Sequence, residues 1–132
     1  MLIEPFRDTA RGAEAPGFQL GVFDVVNDTF VDSEAVTAPE DAVLIVDGIF
    51  LNRPELRGIW NWSLWLDAPP EVTFARMAER DGADPDPNAT SNARYLEGQQ
   101  LYLREARPLA AASVIIDNTD PANPARVYRD FC

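Results

Sequence analysis

Three short apolar runs, each closing on an aspartate, constrain this chain more than any other feature. "VLIVD" ends at Asp47, "WSLWLD" at Asp67 and "SVIID" at Asp117. Their length and their β-branched and aromatic content predict strands over 42–47, 62–66 and 112–118. A further run, "FQLGVFDVV" at 18–26, follows Pro16 and Gly17 and predicts another strand.

Helical patterns lie between the second and third of these runs. In "DAPPEVTFARMAERDG", Asp67 or Ala68 suits a cap, the prolines suit a first turn, Glu71 favours the positive helix end and Gly82 suits the stop. Phe74, Met77 and Ala78 share one face, widened by Val72 and Ala75. A second helix is expected over 93–107, where Tyr95, Leu96, Gln99, Tyr102, Leu103 and Ala106 form an apolar stripe around the polar Gln99. "GADPDPNATSN" at 82–92 reads as a mobile loop, and "TDPANP" as a turn. Strands alternating with helices across 40–118 predict an α/β sheet with mainly parallel strands, in one domain spanning 1–132.

Composition narrows the chemistry. The chain has no lysine and no histidine, so its 11 basic residues are all arginine, set against 22 acidic ones for a net charge of -11. A histidine base, a histidine zinc ligand, a Schiff-base lysine and a phosphate-loop lysine are excluded, which leaves carboxylate, arginine and hydroxyl chemistry. The acidic balance argues against a nucleic-acid partner, which needs a basic surface. No apolar run approaches the ~20 residues of a membrane helix. The single cysteine is Cys132, so no intrachain disulfide forms, and a cytoplasmic location is expected.

The ordered segments together resemble the C-terminal two-thirds of uridine kinase-like enzymes, phosphate-loop nucleoside kinases. The resemblance rests on "VFDVV" at 22–26, "VLIVDGIFLNRPEL" at 43–56, "WLDAPPEVTFARMAERD" at 65–81, "RYLEGQQLYLREARP" at 94–108 and "ASVIIDNTDP" at 112–121, and covers about residues 18–124. It implies a three-layer α/β sandwich, an incomplete P-loop NTPase fold. It also implies that the chain starts partway through the family's domain, as a late-started, fragmentary or degenerate copy.

By this resemblance Asp47 is the carboxylate of a Walker B-like strand, holding Mg2+ beside the phosphates of ATP. The strand pattern alone leaves open a turn-forming role before Gly48. Arg76 and Arg80 fall in the family's lid, where arginines close on the transferring phosphoryl group; the residues themselves equally allow surface ion pairs with nearby glutamates. Arg94 reaches toward phosphate, and Asn118 and Thr119 lie where the family's loop passes the adenine. Phe23 and Asp24 match the strand that contacts the nucleoside. There Phe23 replaces a tyrosine, and Asp28 and Phe30 replace a histidine and an arginine.

The phosphate loop itself is missing, because no G-x-x-x-x-G-K-[ST] occurs in these 132 residues. In the family its strand lies between those matching 42–47 and 62–66, so two apolar strands are expected to be left unpaired around a gap. The resemblance therefore implies an ATP-dependent uridine or cytidine kinase-like phosphotransferase that does not turn over alone. Nucleoside and ATP bind once the missing segment is supplied. The alternative is a non-catalytic binding or assembly module, in which the gap is filled by a second copy or by a partner's strand.

Overall fold

The structure, a computed structural model, describes residues 3–9, 17–21, 23–24 and 26–127. The chain divides into two compact units, Met1–Asp47 and Gly48–Cys132.

In the first unit, helix α1 (Ile3–Thr9) precedes two short strands, β1 (Phe23–Asp24) and β2 (Thr29–Phe30), which pair antiparallel with Phe23 opposite Phe30. Their rings meet edge to face at 5.3 Å. The run at 18–26 thus yields a bridge at Phe18 and a two-residue strand, with Val22 and Val25 outside the described residues. Phe18 exchanges both backbone hydrogen bonds with Val36 at 2.9 Å. A Cβ on Gly17 would lie 3.0 Å from the Val36 carbonyl oxygen, and its φ of 82° is left-handed, so glycine is needed there. Phe18 is buried and meets Phe6 of α1 edge to face at 5.6 Å.

The expected strand over 42–47 does not form. Val43 is 83% exposed and Ile45 87%, and the segment lies outside every strand. Apolar character alone does not make a strand, because the ladder needs a second backbone. Apart from a turn bond from the Ala42 N–H to Pro39, this segment's backbone has no partner among the described residues.

The second unit carries the other expected elements. A 3-10 turn at Pro54–Leu56 leads to strand β3 (Leu64–Asp67), helix α2 (Pro70–Asp81) and helix α3 (Ala93–Ala106). A short helix α4 (Pro108–Ala111), strand β4 (Val114–Asp117) and strand β5 (Ala125–Val127) complete it. The order across the sheet is β3-β4-β5: β3 and β4 are parallel, with Leu64 opposite Val114 and Asp67 opposite Asp117, and β5 returns antiparallel to β4. The sheet is therefore mixed, not mainly parallel.

Helix α2 ends as its sequence dictates. Gly82 takes φ 71° and returns its N–H to the Ala78 carbonyl at 2.8 Å. The core of this unit is small: Phe74 of α2, Tyr102 and Ala106 of α3, Pro108 and Ile115 of β4 are buried. The stripe on α3 is buried less completely than its pattern suggests, for Tyr95 is 50% and Leu103 42% exposed. The loop at 82–92 is pinned from within. Asn92, 2% exposed, donates from Nδ2 to the carbonyls of Asp84 and Asp86 at 2.8 Å each.

Candidate functional site

Parallel strands deliver their carboxyl ends to one edge of a sheet, where open α/β folds bind ligands. Here that edge is formed by Asp67 and Asp117 in register, followed by Asn118 and Thr119. The Asn118 N–H donates to the Asp67 carbonyl at 2.7 Å, extending the ladder by one bond. The Thr119 N–H donates to the Asp117 carboxylate at 2.9 Å. The Thr119 hydroxyl first, and then its N–H, hold the Asp117 carboxyl below the usual aspartate range. Arg76 reaches across from α2 and donates from Nη2 to the carbonyl oxygens of Asn118 and Thr119, both at 2.9 Å.

Three candidates, Arg76, Asn118 and Thr119, therefore come together at this end of the sheet. Their contacts are internal, since Arg76 directs its Nη2 at backbone carbonyls. Arg80 does not join them. It folds onto its neighbour Asp81, with Nε and Nη2 donating to the carboxylate at 2.8 and 2.6 Å on the open surface. This local pair raises the Arg80 pKa and lowers that of Asp81.

Arg94 is exposed in the first turn of α3 and forms no ion pair among the described residues. Asp24 closes the β1–β2 turn. Its carboxylate accepts from the N–H groups of Val26 and Asn27 at 2.9 and 3.2 Å, and from the Asn27 side chain at 2.6 Å. The Asn27 amide above all keeps the Asp24 carboxyl low. Phe23 supplies the aromatic half of the same turn through its contact with Phe30.

Asp47 is exposed, stands outside any strand and has no hydrogen-bond partner among the described residues. Magnesium is commonly held by one or two carboxylates together with substrate phosphates. Among the described residues no group of three Asp, Glu, Cys or His side chains is placed to hold a metal ion. A magnesium role for Asp47 therefore rests on the family resemblance alone.

A shallow groove of about 360 Å³ lies in the second unit, lined by residues including Phe50, Arg53, Leu101, Tyr102 and Glu105. None of the sequence-predicted site residues lines it. Tyr102, buried at its floor, meets Phe50 edge to face at 5.1 Å and Trp65 at 6.2 Å. Its hydroxyl accepts from the Asn52 N–H at 2.8 Å. The sequence marked Tyr102 as one member of a stripe; the buried Asn52 and Asn92 carried no periodic signal and were not distinguished. No family model, curated protein or solved structure matches the chain. No helix among the described residues is long and apolar enough to cross a membrane.

The other side of β3 is open. The Ser63 carbonyl accepts from Ser113 and Val114, and the Asp67 carbonyl from Asn118. Ser63, Trp65 and Asp67 therefore turn toward β4, and the backbone groups of Leu64 and Leu66 turn outward. No strand pairs with that edge among the described residues. Leu64 and Leu66 themselves are 43% and 58% exposed.

Proposed function

We propose that this chain is a non-catalytic binding or assembly module built on the C-terminal part of a nucleoside kinase-like α/β domain. The open edge of β3 carries this reading. It lies where the resemblance to uridine kinases leaves a strand missing, and it presents an unpaired strand backbone that another extended segment can add to. The amides of Leu64 and Leu66 should be protected from hydrogen exchange when the protein is concentrated. Free exchange at every concentration would contradict the reading.

One observation favours a second reading, the uridine or cytidine kinase-like phosphotransferase itself. Arg76, Asn118 and Thr119 meet at the carboxyl end of the parallel pair β3–β4, the end that open α/β sheets use for ligands. In this reading Mg2+-ATP and nucleoside bind only when another segment supplies the phosphate loop, and residues 1–132 alone give no turnover. Transfer of labelled phosphate from ATP to uridine or cytidine by the purified chain would overturn that.

A further inference from the structure

The two edges of the sheet are treated differently by the sequence. The β5 edge carries Arg126 and is preceded by Pro121 and Pro124, the kind of charge and proline that keep exposed edges from pairing. The β3 edge is less guarded, for residues 58–66, "GIWNWSLWL", hold neither a charge nor a proline, and the strand's one charge is Asp67 at its end. In a chain of net charge -11, two copies can close on this edge without bringing carboxylates together.

The backbone geometry selects the manner of closing. Leu64 and Leu66 each offer one N–H and one C=O to the open edge, while Ser63, Trp65 and Asp67 face β4. In an antiparallel pair centred on Trp65, Leu64 of one copy stands opposite Leu66 of the other. Every outward N–H and C=O of these two residues is then used in both copies. A parallel two-fold pair fails, because it would require neighbours of opposite parity to face the edge, and those neighbours are engaged with β4.

The side chains agree with this register. Trp65 and Asp67 lie on the face where the Trp65 indole donates to Asp67 and approaches Tyr102 of α3. Leu64 and Leu66 lie on the opposite face, and the pairing sets them against each other as two leucine pairs.

We infer that the chain forms a two-fold dimer through antiparallel pairing of β3 with β3 of a second copy, giving one continuous sheet. This rests on the assembly reading and names its partner.

Sedimentation of the intact chain over a concentration series should show a dimer. Lysines at the exposed Leu64 and Leu66 place like charges opposite each other across the pair, so Leu64→Lys/Leu66→Lys should be a folded monomer with an unchanged circular dichroism spectrum. In a Cys132→Ser background, a mixture of the single variants Leu64→Cys and Leu66→Cys should form an interchain disulfide under mild oxidation. Neither variant should do so alone. A dimer that survives the lysine substitutions, with no disulfide in the mixture, overturns the β3 pairing and leaves association through another surface standing. A monomer at all concentrations, with freely exchanging β3 amides, overturns both.

Discussion

The Tyr102 hydroxyl accepts a hydrogen bond from the backbone N–H of Asn52 at 2.8 Å, joining α3 to the loop ahead of β3. Both residues are 8% exposed, so no bulk water replaces that bond when it is lost. Tyr102→Phe keeps the ring contacts and leaves the amide unpaired, which costs about 1–3 kcal/mol. Urea unfolding of the two proteins measures this, and equal midpoints would refute it.

Burial pushes the Tyr102 phenol up from its ordinary value, against the smaller opposing effects of the Asn52 N–H and the Arg57 charge. A group that holds its proton more tightly when folded stabilises the fold below its unfolded pKa, near 10. That contribution disappears as pH rises through the higher folded value. Stability should therefore fall on the alkaline side of about pH 10, and Tyr102→Phe should flatten that fall in a pH series of unfolding curves.

Arg76 ties α2 to the two carbonyls that follow β4. Removing a charged donor from two such bonds costs about 1–2 kcal/mol, after allowance for its partial exposure. Arg76→Ala should lower the thermal midpoint and speed hydrogen exchange around residues 118–119. Arg80→Ala removes only a surface contact with its neighbour and should leave the midpoint where it is. Equal effects from the two would contradict the structural assignment of Arg76.

On the acid side the signs reverse. The Thr119 hydroxyl and N–H hold Asp117 low, and the Asn123 side chain with the Ala122 N–H does the same for Asp120. A depressed carboxylate stabilises the fold above its unfolded pKa, about 3.9, and this is lost as pH falls through the folded value. Melting in a pH series should show a decline below about pH 4 that is shallower in Asp117→Asn/Asp120→Asn.

Local signals were legible wherever the interactions they encode are local. The prolines, Glu71 and Gly82 delimit α2 because caps and first turns act within a few residues. The runs at 62–66 and 112–118 become β3 and β4 because each finds the other as a ladder partner. The run at 42–47 is the most apolar of the three and forms no strand, since its pairing depends on a backbone that its own pattern does not encode. The candidate site divides along the same line. Arg76, Asn118 and Thr119 converge because β4 and the helix that follows its parallel partner β3 place them. Asp47 lost its expected setting together with its strand, and Asp24 is claimed by a turn that depends on Asn27. Asn92 and Asn52 were invisible because one buried amide leaves no periodic trace.

The exposed run at 42–46 has a colloidal consequence. Five uncharged residues, three of them β-branched, solvated along Val43 and Ile45, form the kind of window that nucleates intermolecular stacking when chains crowd. Asp41 and Asp47 bracket it with one negative charge at each end. They act as gatekeepers, since stacking in register would pile those charges on one another along the growing fibril. Whatever Asp47 does for a ligand, its carboxylate helps to keep this chain dispersed.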